Sequence, residues 1–229
     1  MGRSFVTVAL DVPTRNLARL SDRHEWLVCG WFTDDPIYRG YAQDLAASLD
    51  KVGAPYDLVA VDRPSSGWAA NTRAKPAQVL AAMDRHPDKT IVFMDVDFSA
   101  IGDLTPLTAS GGEFALKIVA RRRRNGAVRL VPSSQVMVVK PTAGARRLVL
   151  AWIALGEKAL VGETDESALA MAMGTCASCT FSPIDQVWLD TVLVHHWANK
   201  KSPRIGGFRR EVVNLVLWAT RAAGRRIAR

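Results

Sequence analysis

The sequence predicts an α/β protein in which a mostly parallel β-sheet is flanked by helices. Short apolar runs alternate with amphipathic helical segments along the chain, which is the pattern of a parallel sheet covered by helices. One run, at residues 90–94 (TIVFM), is continuously apolar, as in a central strand that is buried on both faces. A chain of 229 residues, 48% of them hydrophobic, suits one domain with a full core. We expect that domain at residues 1–205, followed by a separate segment at 206–229.

The strands and helices are assigned from the spacing of apolar residues. Six strands are predicted, at residues 25–33, 57–61, 90–94, 114–119, 135–139 and 191–195. Four helices are predicted, at residues 38–52, 71–85, 145–155 and 166–173. Gly53 ends the first helix, and Asn71 or Thr72 caps the second, which holds Pro76 in its first turn. Residues 1–20 are compatible with an extra strand and turn.

The positive charge of the chain is concentrated at its C-terminal end. The formal net charge is +8, and residues 200–229 carry nine Lys/Arg and one acid, so residues 1–199 sum to zero. A body without net charge, and without basic residues interleaved with aromatic ones, argues against nucleic-acid binding. Residues 206–229 are predicted to form a basic amphipathic helix that contains Trp218. This helix either lies on an anionic membrane surface or docks on the body.

Segments and cysteine patterns that the sequence lacks limit its possible location and function. No apolar run reaches the roughly 18–20 residues of a membrane-spanning helix, and the start of the chain lacks a secretory signal. We therefore expect a cytoplasmic protein, peripheral at the membrane if its C-terminal helix binds lipid. The three cysteines do not make a disulfide framework, and Cys176 and Cys179 lack the second pair or nearby histidine of a zinc site. A structural role is favoured for them over a redox or metal role.

Asp95 and Asp97 are the sharpest candidates for a functional site. They directly follow the buried run at residues 90–94, and ligands of open α/β sheets bind beyond the carboxyl ends of the strands. Two uncompensated carboxylates would raise each other's pKa, a penalty that a divalent cation removes. Hard oxygen ligands suit magnesium or manganese, which in turn hold phosphate oxygens. The pair therefore indicates a metal–diphosphate site, unless the two residues only begin a surface turn.

A series of motifs around this pair resembles the bacterial GT-A glycosyltransferases, which use nucleotide-diphospho-sugars and carry a D-x-D motif. Asn71 and Lys75-Pro76 precede a helix, and an apolar strand then ends in Asp95-Val96-Asp97. Further segments follow in the order of the family, at residues 134–139, 145–152, 164–169 and 194–201. The resemblance implies a Rossmann-like GT-A fold with a mixed, mostly parallel sheet. It also implies metal-dependent transfer of a sugar, from a UDP-sugar by preference, to a glycan, lipid or other hydroxyl acceptor.

The metal ligands follow from the same resemblance. Asp97 is implied as the principal ligand of manganese or magnesium, Asp95 as a contact of the metal or the ribose, and His195 as the third protein ligand. His195 is favoured over His196, since only one of two consecutive strand residues faces the site.

The resemblance implies roles for the donor and acceptor sides as well. The nucleotide-binding residues are Thr33, Tyr38, Asn71, Lys75, Asp95 and Lys200. Lys75 and Lys200 would neutralise the diphosphate. Asp165 faces the donor or acceptor sugar and is the candidate catalytic base, unless it only caps the helix at residues 166–173. The four arginines at residues 121–124 are predicted to form an exposed loop, either solvated or in contact with an anionic acceptor.

Two alternative functions are compatible with the same acidic residues. The first is a catalytically silent GT-A domain that only binds a sugar nucleotide or a glycan. The second is a phosphatase of the haloacid dehalogenase kind, which also has an apolar strand ending in Asp-x-Asp. That class has Gly-Thr after the pair and its strand near the start of the chain, whereas here Phe98-Ser99 follows.

Overall fold

A computed structural model describes residues 15–62, 68–122, 125–158 and 163–196. The chain divides into two compact units, Met1–Val194 and His195–Arg229. The strands are β1 (Leu17–Arg19), β2 (Trp26–Thr33), β3 (Tyr56–Val61), β4 (Thr90–Met94), β5 (Phe98–Ala100), β6 (Phe114–Arg122), β7 (Val128–Val139), β8 (Phe181–Pro183) and β9 (Leu193–His195). The helices are α1 (Pro36–Val52), α2 (Trp68–Arg73), α3 (Lys75–Arg85), α4 (Thr105–Thr108), α5 (Ala143–Glu157), α6 (Asp165–Thr175) and α7 (Gln186–Val192). The predicted C-terminal helix at 206–229 lies outside the described residues.

Seven of the strands form one mixed sheet in the order β1-β3-β2-β4-β7-β6-β8. Neighbours pair in parallel within β3-β2-β4 and between β6 and β8, whereas β1 and β7 run antiparallel to their neighbours. Five of the seven strands therefore point in the same direction, which confirms the predicted mixed, mostly parallel sheet flanked by helices. The carboxyl ends of β2, β3 and β4 lie at one edge of the sheet, where Asp95 follows β4.

Different helices cover the two faces of the sheet. Side chains alternate between the faces along a strand, so Val28 and Val92 pack with α1, whereas Leu27 and Ile91 pack with α3, α5 and α6. Because both faces of β2 and β4 are covered, these strands are apolar at nearly every position. Trp152 of α5 is fully buried in the second layer of this core.

Helix α1 ends at Gly53 as predicted, but it begins at Pro36, two residues before the predicted start. Asp35 caps the N-terminus, since its Oδ1 accepts from the backbone N–H groups of Ile37 and Tyr38 at 3.1 and 3.2 Å. Pro36 is the first helical residue, where a missing N–H is tolerated. Gly53 follows the last turn with a φ of 72°, in the left-handed region that favours glycine.

Residues 71–85 belong to two helices rather than to the single one predicted. α2 ends at Arg73 and α3 begins at Lys75, so a capping role for Asn71 or Thr72 is wrong, because both lie inside α2. Pro76 accounts for the break, since it has no N–H to donate to the carbonyl of Thr72. The break makes Lys75 the first residue of α3.

Strands β6 and β7 are longer than predicted because they form one antiparallel hairpin. Arg121 and Arg122 belong to β6, so the prediction of an exposed loop at residues 121–124 is wrong for its first half. Residues 123–124 lie outside the described part of the chain. Gly126 then turns the chain with a φ of 81°.

The hairpin contains an irregularity close to the end of β4. Leu116 pairs with Met137, but the next residue, Lys117, pairs with Ser133, so Ser134 lies in a bulge of β7. A bulge takes residues out of the regular ladder and redirects their polar groups. The backbone and side chain of Ser134 are thereby available to elements other than β6.

The last predicted strand is shorter than expected, whereas the extra strand expected within residues 1–20 is present as β1. Residues 191–195 are a strand only in part, because α7 extends to Val192 and β9 is limited to Leu193–His195. Asp185 starts α7 by accepting from the backbone N–H of Val187 at 2.8 Å. Within residues 1–20, β1 pairs antiparallel with β3 at the edge of the sheet.

Two further predictions concern membrane-spanning helices and the cysteines. None of the helices within the described ranges is long and apolar enough to cross a membrane. Cys29, Cys176 and Cys179 are all free thiols.

Gly53→Ala is expected to lower the free energy of unfolding by about 1 kcal/mol, because a Cβ is strained at this left-handed position. Gly40→Ala lies inside the same helix, where an added Cβ meets no described atom within 4 Å. It is expected to raise the free energy of unfolding by up to about 1 kcal/mol. Urea unfolding of both variants measures the effects, and a Gly53→Ala variant that is as stable as the unmodified protein would contradict the role of Gly53.

Candidate active site

The ammonium group of Lys75 is the centre of a buried polar cluster. Lys75 is 6% exposed, and its Nζ lies 2.7 Å from Asp95 Oδ1 and 3.8 Å from Asp165 Oδ2. It also donates to the backbone carbonyl and to the hydroxyl of Ser134, both at 3.2 Å. Ser134 Oγ in turn donates to Asp165 Oδ2 at 2.5 Å. We call these four residues the Lys75 cluster.

Four separate elements bring the cluster together. Asp95 follows β4, Lys75 begins α3, Ser134 lies in the bulge of β7, and Asp165 begins α6. Trp152 Nε1 donates to the backbone carbonyl of Asp165 at 2.9 Å and so fixes the start of α6. The carboxylate of Asp165 enters the cluster and makes no capping hydrogen bond, so its interpretation as a helix cap is wrong.

Burial and charge determine the ionisation of the cluster. Burial raises the pKa of Asp95 to about 6, against the lowering effect of Lys75, and the charges of Asp97 and Asp165 add to the rise. Burial by itself would lower the pKa of Lys75, but the charges of Asp95 and Asp165 outweigh it and raise that pKa. One ammonium group therefore contacts two carboxyl groups, Asp95 and Asp165, and this excess of negative charge favours a bound cation.

Asp95 and Asp97 place carboxylate oxygens at the edge of the sheet. The side chain of Asp95 is 27% exposed, and Asp97 is 9% exposed in the turn between β4 and β5. Val96 between them is buried in the core and anchors this turn. Carboxylate oxygens with excess negative charge suit a hard divalent cation, so the residues present fit manganese or magnesium.

Thr33 and Tyr38 lie at the carboxyl end of β2, the parallel neighbour of β4. Thr33 is buried, and its hydroxyl donates to Asp35 Oδ2 at 2.7 Å. Tyr38 is half-buried in the first turn of α1, with its ring centroid 6.5 Å from that of Tyr41. Both residues therefore lie at the same edge of the sheet as Asp95. Their contact with a nucleotide stays a prediction.

Asn71 has a buried amide oxygen that accepts no hydrogen bond from any described residue. Buried polar atoms are rarely left unpaired, which makes this oxygen a candidate to bind a ligand or a water molecule. His195 is the last residue of β9 and the first of the second unit. Its role as third metal ligand stays a prediction, and Lys200 lies outside the described residues.

A second group of metal-binding side chains lies at the other end of α3. The ligand atoms of Cys29, Asp57 and His86 are within 4.8 Å of one another and are able to hold a metal ion. His86 directly follows α3, so at about 1.5 Å per residue it lies roughly 16 Å along the helix axis from Lys75. Asp57 Oδ2 already contacts Arg85 Nε at 2.8 Å and His86 Nε2 at 2.9 Å. The guanidinium of Arg85 disfavours a second cation at this carboxylate.

Ser134 and Trp152 are the site residues that were not predicted. Two consecutive serines in β7, Ser133 and Ser134, are both buried. This was the one available signal, since buried hydroxyl groups require partners. Trp152 was predicted as a helix residue only, and nothing in its spacing shows that its indole N–H binds α6.

The comparisons with known proteins support the fold. No protein-family model and no curated protein matches the sequence. The chain is similar to the solved structure of a glycosyltransferase involved in the glycosylation of the major capsid of PBCV-1, with a TM-score of 0.53 and 10% identity over 74% of this chain and 93% of that one. It is also similar to the apo-form glycosyltransferase GlyE of Streptococcus pneumoniae TIGR4, with a TM-score of 0.50 and 15% identity over 75% of this chain. The match spans 54% of that GlyE chain. The predicted GT-A type fold is confirmed.

Lys75→Met is expected to lower the free energy of unfolding by about 3 kcal/mol, because it leaves buried carboxylates without their cation. Asp165→Asn removes one of these carboxylates. The double variant Lys75→Met/Asp165→Asn is therefore expected to cost at least about 1 kcal/mol less than the sum of the two single variants. Chemical unfolding of all four proteins gives this coupling, and strictly additive costs would contradict the ion pair.

Proposed function

We propose that this protein is a metal-dependent glycosyltransferase that moves a sugar from a nucleotide-diphosphate donor, a UDP-sugar by preference, to a hydroxyl acceptor. The observation that carries the proposal is the Lys75 cluster, which joins Asp95 of the acidic pair to Asp165 at the carboxyl edge of the parallel strands. This edge is where ligands of open α/β sheets bind. The shared fold with two glycosyltransferase structures agrees with it.

Asp95 and Asp97 are assigned to the metal, with His195 as the third ligand. Manganese or magnesium, when bound, supplies positive charge to the diphosphate as it leaves the sugar. Lys75 contacts Asp95 Oδ1, which orients that carboxylate and leaves its other oxygen for the ion. Thr33, Tyr38 and Asn71 are the further nucleotide contacts we assign on this side of the site.

Asp165 is assigned to the sugar side of the reaction. Both of its side-chain contacts in the Lys75 cluster, with Lys75 and with the hydroxyl of Ser134, go to Oδ2. These contacts hold the carboxylate in one orientation, so we assign Oδ1 to a sugar hydroxyl. In this position Asp165 would accept the proton of the attacking hydroxyl or align the donor sugar. Asp165→Asn would keep the shape and remove the basicity.

Titration calorimetry with UDP, with and without manganese, tests the proposal. We expect UDP to bind in the presence of manganese, and Asp97→Ala to weaken that binding at least about tenfold, because it removes a metal ligand. Asp44→Ala, an exposed aspartate on α1, is the matched control and should bind as the unmodified protein does.

The nucleotide base is resolved by repeating the titration with GDP and other nucleoside diphosphates. Failure of all of them to bind a folded protein would contradict the proposal. Binding that needs no manganese and survives Asp97→Ala would contradict the metal site, and would favour a nucleotide-binding domain without catalysis.

A further inference from the structure

An arginine-lined cleft adjoins the Lys75 cluster. It has a volume of about 220 Å³ and lies between the β6–β7 hairpin and the first turn of α6. The hairpin contributes three arginines to its lining, and α6 contributes residues on both sides of Asp165. These lining residues are Arg121, Arg122, Arg129, Thr164, Glu166 and Ser167. None of the roles assigned under the proposed function uses this cleft, which contains two of the arginines that the sequence left open as contacts of an anionic acceptor.

Two of the arginines stand directly opposite each other. Arg121 and Arg129 are register partners in the antiparallel hairpin, so their side chains point to the same face. Their Cβ atoms are then about 5 Å apart, and like charges at this spacing destabilise a sheet. A bound anion between the two guanidinium groups would remove the repulsion.

Only one of the three guanidinium groups has an anionic partner in the described part of the chain. Arg121 Nη2 contacts Glu166 Oε2 at 2.8 Å. Within the described ranges no residue forms a hydrogen bond or ion pair with the guanidinium group of Arg122 or Arg129. The lining therefore keeps an excess of positive charge, and the N-terminal end of α6, an 11-residue helix, adds its dipole to it.

We propose that the acceptor carries an oxyanion, either a phosphate or a carboxylate, and that Arg121 and Arg129 bind it in this cleft. The planar fork of arginine matches both groups in a bidentate manner. Asp165 precedes Glu166 directly, so an acceptor anchored here brings a hydroxyl group to the assigned sugar side of the site. The identity of the ligand as the acceptor rests on the proposed function.

The opposite face of the same hairpin carries apolar side chains, and this distinguishes two possible sources of the anion, a soluble sugar phosphate and a lipid. Ile118, Val128 and Leu130 point away from the face of Arg121 and Arg129, and they are 39%, 59% and 68% exposed. Arg122 is the register partner of Val128 and borders the cleft from this second face. A soluble sugar phosphate would contact only the arginine face. A phosphate at a lipid surface would also bring acyl chains or headgroups against the apolar face.

Calorimetric titration with glucose 6-phosphate, glucuronate and glucose, in the absence of donor, tests the cleft itself. We expect the two anions to bind at least about tenfold more tightly than neutral glucose. Arg129→Gln should weaken anion binding about tenfold, and Glu166→Gln should strengthen it, because it releases Arg121. Arg146→Gln is the matched control, since Arg146 is an exposed arginine on α5 that pairs with Asp84.

A vesicle-binding experiment distinguishes a lipid phosphate from a soluble one. Sedimentation with vesicles of phosphatidylcholine containing phosphatidic acid is compared for the unmodified protein and Leu130→Ser. If the phosphate belongs to a lipid, both Leu130→Ser and Arg129→Gln should bind vesicles more weakly, and Leu130→Ser should still bind glucose 6-phosphate. If the soluble anions bind and the vesicles do not, the phosphate belongs to a soluble acceptor. Either result supports an oxyanion on the acceptor.

The proposal is overturned if neither the anions nor the vesicles bind, or if Arg129→Gln binds both probes as well as Arg146→Gln does. Manganese-dependent UDP binding is measured on the same variants. Its retention in Arg129→Gln shows that the donor site is intact, so loss of anion binding is then specific to the cleft. Anion binding without any nucleotide binding would contradict the glycosyltransferase function and leave the anion site standing.

Discussion

A buried ammonium group must be compensated, and in this protein the compensation of Lys75 organises the whole candidate site. Its partners are Asp95 after a central strand, the bulge of β7 at Ser134, and Asp165 at the start of α6. Each partner depends on a local feature: Pro76 starts α3 at Lys75, the bulge frees Ser134, and Trp152 holds the backbone of Asp165. The position of the acidic pair is thus fixed by three elements besides its own strand.

The positive charge of Lys75 only partly balances the negative charge of its partners, and the site is therefore suited to bind a further cation. The single ammonium of Lys75 contacts two carboxyl groups, Asp95 and Asp165, which leaves an excess of negative charge. Burial raises the pKa of Asp95 to about 6. A cation relieves this excess of negative charge, which agrees with the assignment of a divalent metal to the acidic pair. The neighbouring cleft has the reverse balance, with three arginines and one carboxylate. A donor cation site and an acceptor anion site would then lie on either side of Asp165.

Much of the fold was predictable because burial on both faces leaves a strong pattern in the central strands. The strand at residues 90–94 and the position of Asp95 at its end follow directly from it, and the ends of α1 follow from Asp35 and Gly53. The internal geometry of the site was not predictable. The bulge at Ser134 and the inward turn of Asp165 depend on tertiary contacts, which the spacing of residues does not show. The break before Lys75 follows from Pro76, but the sequence did not show that it would turn Lys75 towards the acidic residues.

The central claim is that the metal of the donor binds at Asp95 and Asp97 and not at the group formed by Cys29, Asp57 and His86. Manganese is paramagnetic, so added with UDP to isotope-labelled protein it broadens the amide signals of nearby residues in NMR spectra. The account predicts strongest broadening at Asp95 and Asp97 and in the first turn of α3, with His86, about 16 Å further along the helix, much less affected. Broadening centred on His86 and Asp57 would contradict it.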